Sequence, residues 1–382
     1  MSVHFIIQKE KFVQSIQLVT KAISFKTTIP ILAGIKIEVT EEGITLTGSD
    51  SDISIESFIP AEEDGQQNVQ ILQTGKVVLQ AKTFPEIIKK LPEEQVEIIV
   101  QDQFLTTVRS GSSVFHLNGL DAEDYPRLPQ VEETNVFYLP ANLFKNIIRQ
   151  TVFAVATNET RPVLTGVNFT LEKKQLTCTA TDSHRLAMRK AVVETYDEEL
   201  SFENVVIPGK SLTELNKILE DSDELVYVVV TESQVLFKLK HLLFFTRLLD
   251  GTYPMTKNII PTAAKTDILL ETTPFLEALE RALLLSREGK NNVVNVKTLD
   301  NNELEITSVT PEIGKVTERV QMIECKGEEL RISFNGKNVI DALKVIDSEE
   351  VNMRFTGAMS PFVIQPTEHD HSVHLFSPVR TF

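Results

Sequence analysis

The chain has 382 residues, too many for one ordinary hydrophobic core and enough for two to four domains. At 42% apolar and 24% charged it has the composition of a water-soluble globular protein, and with only Cys178 and Cys325 it carries no disulfide framework. The formal net charge of −16, from 38 basic against 54 acidic side chains, excludes a protein that grips nucleic acid with its whole surface; contact with DNA requires positive charge gathered on one face.

The chain begins Met1-Ser2-Val3-His4-Phe5, without the basic start and long apolar core of a signal peptide, and its longest oily run, Leu242 to Phe245, is far too short to cross a bilayer. A cytoplasmic protein with no membrane partner is expected. The first helix-period segment places Phe12, Ile16, Val19 and Ile23 on one stripe. Ile31-Leu32-Ala33-Gly34 follows, then an alternating strand ending Leu46-Thr47-Gly48-Ser49-Asp50. A second helix reads from Ala81 to Leu91. Glu97 to Val100 and Leu105 to Arg109 form a hairpin, and Tyr125-Pro126 forces an extended exit suited to a domain junction.

The same sequence of signals then returns. Phe144, Ile147, Ile148 and Val152 make the next apolar stripe; Val163-Leu164-Thr165-Gly166 falls on Ile31-Leu32-Ala33-Gly34; and Leu176-Thr177-Cys178-Thr179-Ala180-Thr181-Asp182 falls on the stretch ending at Asp50. Gly209-Lys210-Ser211 repeats Ala81-Lys82-Thr83, and Tyr253-Pro254 repeats Tyr125-Pro126. In the last third Phe275, Leu279, Ala282 and Leu283 open a third copy, with Gly336-Lys337-Asn338 as its second helix start. Thr83/Glu86, Ser211/Glu214 and Asn338/Asp341 have capping-box spacing and predict three similar helix starts. The reading is α+β: three repeated domains, 1–126, 127–253 and 254–382, each with two helices packed on antiparallel sheet.

The six predicted helices hold thirteen basic and eight acidic residues, so they are the positive elements of an acidic chain, although the two in the third copy are each neutral. With helix axes about 10 Å apart, six helices enclose almost no bore. Twelve give a circumference of ~120 Å and, after side-chain radii of ~5 Å are removed at each side, an opening of ~28 Å. A DNA duplex, with grooves about 8 Å deep on opposite sides, is on the order of 20 Å wide. Two chains can encircle it, and one cannot.

The motifs Pro30-Ile31-Leu32 with Leu46 to Asp50, Thr181-Asp182-Ser183-His184-Arg185-Leu186, Tyr253-Pro254 with Ile260-Pro261, and Ser377-Pro378-Val379-Arg380 closely resemble those of the bacterial sliding clamp family, the beta subunit of DNA polymerase III, over the whole chain. The resemblance implies a head-to-tail homodimer forming a ring of six domains, with helices lining a bore that encircles double-stranded DNA without reading its sequence. It implies a clamp loader that mounts the ring at the cost of ATP, and replicative polymerase, repair polymerases and ligase held through linear peptide motifs, at the nucleoid. It implies a processivity factor with no cofactor, no metal and no catalytic residue.

Carried over by motif, the peptide pocket between the second and third domains would use Leu164, Thr181, Ser183, His184, Arg185 and Leu186. From the later segments it would use Pro254, Asn258, Ile259, Met359, Leu375, Pro378, Val379 and Arg380, with Arg185 and Arg380 at its rim. Family members often carry Gly at the place of Ser183 and Met-Pro-Met at the place of Ser377-Pro378-Val379. DNA contacts would come from Lys26 and Arg161 in corresponding loops, and from Lys82, Lys89, Lys145, Arg149, Lys210, Lys217, Lys337 and Lys344 on the helices. Phe115 and Leu117 would meet Leu284 and Leu285 of a second copy at the ring joint.

Two other functions compete. Asp182 and His184 are spaced for acid–base or hydrolytic chemistry, and a repeat scaffold would bind peptides without DNA. The Gly-Lys pairs at 209 and 336 lack the rest of a phosphate-binding loop. His369, His371 and His374 read as a surface loop rather than a metal site.

Overall fold

The computed structural model describes residues 2–128, 131–158, 160–256, 258–285, 292–311 and 313–380. Among them are six α-helices: α1 (Lys9–Thr20), α2 (Phe84–Lys90), α3 (Ala141–Val152), α4 (Gly209–Asn216), α5 (Thr272–Ala282) and α6 (Gly336–Leu343). The rest is mainly antiparallel strand. No helix among the described residues is long and apolar enough to cross a membrane. The chain forms two compact units, one of Met1–Ala141 with Lys217–Leu248 and the other of Asn142–Asn216 with Leu249–Phe382, so the middle copy of the repeat gives a part to each.

The helices are shorter than their periodicity suggests. Each keeps its apolar stripe in a core: Phe12, Ile16 and Val19 on α1, Phe144, Ile147 and Ile148 on α3, and Phe275, Ala278, Leu279 and Ala282 on α5 are buried. Phe12 meets Phe5 and Phe84 edge to face at 6.0 and 5.8 Å, which locks α1 between a strand and α2. The expected capping boxes are not how these helices start. Thr83 flanks α2 without a side-chain cap, Ser211 is buried inside α4, and α6 is capped by Asn335, whose Oδ1 accepts from the Asn338 N–H at 3.3 Å. The second and third copies begin their helix at Gly209 and Gly336, two residues ahead of the motif.

In the first unit a five-stranded sheet runs in the order Ser113–Asn118, Leu105–Ser110, Gln95–Val100, Val3–Gln8, Val69–Gln73. A second sheet joins strands of the first copy to strands of the middle copy, and the seam is the antiparallel pairing of Ile53–Pro60 with Leu242–Arg247. The second unit holds a nine-stranded sheet whose seam pairs Arg185–Val192 with Ser372–Phe376. Its strands bury Ile268, Met353, Phe355, Phe362, Ile364 and Phe376 on one face, against α5, α6 and a four-stranded sheet that ends at the edge strand Gly314–Gln321.

The repeat predicted from sequence is visible in the packing. Leu32, Val78 and Tyr125 form one small buried cluster, and their counterparts Leu164, Val206 and Tyr253 form another. The paired glycines serve these clusters. A Cβ on Gly34 would lie 2.5 Å from Val78 Cγ1, and one on Gly166 would lie 2.8 Å from Val206 Cγ1, so only glycine lets the strand approach.

Candidate functional site

The turn Thr181 to Arg185 is built by Asp182. Its Oδ1 accepts from the backbone N–H groups of His184 and Arg185 at 2.9 and 3.0 Å, and the Ser183 N–H donates to Thr181 Oγ1 at 3.1 Å. Ser183 sits at φ +77°, in the left-handed region where glycine is at ease. The first copy builds the same turn: Asp50 Oδ1 accepts from the N–H groups of Asp52 and Ile53, and Ser51 has φ +79°. Asp182 therefore does in the middle copy what Asp50 does in the first, where no histidine follows. Its second oxygen accepts from Arg185 Nε at 3.1 Å.

Arg185 does not stand at a rim. Its side chain is 11% exposed; Nη1 donates to Asp341 Oδ2 at 2.8 Å, Nη2 donates to the Phe153 carbonyl at 2.7 Å, and the guanidinium lies 5.4 Å from the Phe153 ring centroid. It braces the turn against α6 and the end of α3 with charge-assisted bonds. His184 is exposed, and its carbonyl accepts from the Ser377 N–H at 2.9 Å, which fixes the C-terminal segment beside the turn.

Tyr253 ties the turn to the Leu164 cluster. Its hydroxyl accepts from the Thr181 N–H at 3.0 Å, and burial pushes its pKa above the ordinary phenol range. Thr181 pairs across the sheet with Leu186, and Leu186 with Leu375. Leu186 and Leu375 pack with Met188 and Val363 in a shallow cluster that Ile260 and Val373 flank. Pro254, Asn258 and Ile259 are exposed in the segment after Tyr253, where Met255 is 84% exposed, and Met359 is 57% exposed on the turn after Phe355. Pro378 bridges to Phe334, the Val379 N–H donates to the Ser333 carbonyl at 2.7 Å, and Arg380 is exposed. The predicted pocket residues thus fall into two joined groups: mostly buried supports (Leu164, Thr181, Arg185, Leu186, Leu375), and exposed or half-buried side chains from four segments around them, Ser183 with His184, Pro254 with Asn258 and Ile259, Met359, and Pro378 to Arg380.

The candidate DNA cations also divide. Lys26, Lys82, Lys89 and Arg161 are exposed and form no ion pair among the described residues. Arg149 is paired with Asp347, Lys337 with Asp341 at 3.2 Å, and Lys344 with Glu280 at 2.7 Å. Lys210 and Lys217 are exposed and Lys145 is half-buried. Phe115, 39% exposed, and the half-buried Leu117 lie on the edge strand Ser113–Asn118, while Leu284, 57% exposed, and the half-buried Leu285 follow α5. The histidine reading needs correction. His371 is exposed and His369 half-buried, but His374 is wholly buried on a strand, its ring tilted against that of Phe153 with centroids 5.7 Å apart, because Ser372–Phe376 alternates its side chains between core and surface.

Three successive family profiles match the chain: DNA polymerase III beta subunit, N-terminal domain over residues 3–129, central domain over 138–255 and C-terminal domain over 257–380. The beta sliding clamp of Halalkalibacterium halodurans is 66% identical over 379 residues, which is 99% of this chain and all of that protein. The corresponding protein of Bacillus subtilis is 57% identical over 378 residues, again 99% of this chain and all of its own length. The chain belongs to the beta sliding clamp family. The crystal structure of the Bacillus subtilis DNA polymerase sliding clamp superposes with a TM-score of 0.97 at 56% identity, all of both chains being covered. A Pseudomonas aeruginosa sliding clamp bound to griselimycin gives 0.91 at 26% identity, also with full coverage of both. The three-domain clamp fold and the function of a DNA sliding clamp follow for this chain.

Within this clamp, sequence reasoning missed Asp341 and Phe153, which hold Arg185, and Ser333, which holds Val379. Asp341 carries a signal in its helix-cap spacing from Asn338, and its position one turn beyond Lys337 also marks it as an ion-pairing residue. Phe153 and Ser333 carry none.

Proposed function

We propose that two copies of this clamp close head to tail into a ring, and that the repeat itself carries the argument. Within the chain the same seam is used twice: Ile53–Pro60 with Leu242–Arg247, and Arg185–Val192 with Ser372–Phe376. The third-copy counterpart of the first member is Gly314–Gln321, and the first-copy counterpart of the second member is Ser113–Asn118. Both are edge strands of their sheets. Each end of the chain therefore offers one half of a joint whose other half is at the opposite end, and an unpaired edge bearing Val114 and Phe115 is unfavourable in water. Pairing these edges between two copies repeats the internal seam and closes a ring, since a head-to-tail contact that closes leaves no edge open.

Such a ring holds double-stranded DNA by enclosure. The exposed cations Lys26, Lys82, Lys89 and Arg161 give weak phosphate contacts that position without specifying sequence, while Lys145, Arg149, Lys210, Lys217, Lys337 and Lys344, each already engaged within the chain, contribute less. The ring acts without catalysing a reaction, in the cytoplasm at the nucleoid, once an ATP-driven loader has opened and mounted it. Replicative polymerase, repair polymerases and ligase dock a short peptide over Leu164, Leu186 and Leu375, between Met359, Ile259 and the Pro378-Val379-Arg380 segment. Griselimycin bound to the Pseudomonas aeruginosa clamp supports a ligand site on this fold. Sizing tests the ring: a species near twice 43.0 kDa is expected, and one that stays at 43.0 kDa at micromolar concentration refutes it.

A further inference from the structure

The apolar cluster of the pocket is one end of a longer track. Across the nine-stranded sheet Leu186 stands opposite Leu375, Leu375 opposite Val363, Val363 opposite Arg354, Arg354 opposite Asp267 and Asp267 opposite Lys326. The next rung runs from Gln365 through Asn352 and Leu269 to Glu324. The alternate residues of these strands fill the core on the other side, so both rungs share the face that carries Leu186 and Leu375.

Beyond Val363 the rungs floor a cleft of about 690 Å³, walled by the segment Pro366 to Asp370. That volume is in the range of pockets that take a small ligand or a few peptide residues. The floor is polar but internally neutralised: Arg354 Nε donates to Asp267 Oδ1 at 3.3 Å and Lys326 Nζ to Glu324 Oε2 at 2.8 Å. With Asp370 the lining is slightly acidic, the wrong sign for a phosphate chain. Two lining atoms, Asn352 Oδ1 and His369 Nδ1, are shielded from solvent and have no hydrogen-bond partner among the described residues. A shielded acceptor without a donor is unfavourable, and a ligand that brings an N–H relieves it.

We propose that this cleft takes an extended stretch of a partner's chain flanking the residues seated on Leu186, Leu375 and Val363, with a main-chain N–H donating to Asn352 Oδ1. The proposal rests on the peptide-pocket reading. Four strand spacings of ~4.8 Å separate Leu375 from Lys326, about 19 Å, and six extended residues at ~3.3 Å each span that length. The partner's recognition segment is therefore longer than its apolar anchor, and its flank is neutral or basic rather than acidic.

The test uses the full chain and three fluorescein-labelled synthetic peptides: a seven-residue anchor containing a Leu-Phe pair, and the same anchor lengthened by six Ser and Gln residues at its N-terminal or its C-terminal end. One lengthened peptide binds several-fold to about tenfold more tightly than the bare anchor, as one added hydrogen bond allows. Asn352→Ala removes that gain while the bare anchor binds as before, which also shows the variant folded. If neither extension tightens binding, or the gain survives Asn352→Ala, the cleft is not used as proposed. If the bare anchor itself fails to bind the wild-type chain, the pocket reading falls and the cleft with it.

Discussion

Arg185 and Asp341 join two parts of the chain 156 residues apart through a 2.8 Å bond, and the turn that shapes the candidate pocket is held by that bond. Both side chains are mostly buried, so removing one leaves the other poorly solvated. Asp341→Ala is expected to cost about 2–3 kcal/mol in urea unfolding and to weaken binding of a pocket peptide several-fold, although Asp341 lies outside the apolar cluster. Unchanged stability and affinity would show that Arg185 is held by Asp182 and Phe153 alone.

Ser183 carries a positive φ in a turn where its backbone N–H donates to Thr181 Oγ1 and Asp182 accepts from the two N–H groups that follow. A non-glycine residue there costs about 1–2 kcal/mol, offset partly by the unfolded-chain freedom that glycine adds. Ser183→Gly should therefore raise unfolding stability by about 0.5–1 kcal/mol, and Ser183→Val should lower it by more than that. Equal urea midpoints for all three would show that the turn relaxes freely.

Much of this was legible before the structure, and the reasons are specific. Leu32 and Leu164, Gly34 and Gly166, and Tyr125 and Tyr253 recur because each copy needs the same small cluster, so self-comparison of the sequence exposes them. The clamp family was legible from the same motifs. Arg185 was misplaced because a sequence shows that an arginine is present but not that Asp341 and the Phe153 carbonyl hold it. His374 was misplaced because its polar neighbours, Asp370 and His371, masked a short strand that turns inward at alternate residues. The open edges Ser113–Asn118 and Gly314–Gln321 were invisible because an edge is defined by a missing neighbour, which no local pattern records.

His374 makes acid stability testable. Desolvation holds its imidazole down to about 4, from an ordinary value of 6.5, so the folded chain keeps it neutral. Between those values the unfolded chain takes up a proton that the folded chain does not; stability from this group is full above about pH 6.5 and falls as the pH drops toward 4. Between pH 7.5 and 5.0 the wild type should lose about 2 kcal/mol more than His374→Phe, read from urea midpoints. Equal losses would mean that His374 finds a proton partner when buried.

Phe115 sits on the open edge proposed to pair with a second copy. A charge at that position opposes burial in a joint and leaves an isolated chain undisturbed. Phe115→Asp is expected to give a folded species of 43.0 kDa by light scattering, with an unchanged melting temperature at low concentration. A variant that still sizes at twice that mass places the joint elsewhere.

The most direct measurement follows the protein on DNA of defined topology. The labelled chain is mounted on a nicked circular duplex with a clamp loader and ATP, unbound protein is removed by gel filtration, and the circle is then cut once with a restriction enzyme. A ring that holds DNA by enclosure stays with the circle through moderate salt and leaves within minutes of linearisation. Protein that stays on the linear product is gripping rather than encircling, and protein that never co-elutes with the circle is a peptide-binding scaffold without DNA; either result contradicts the account.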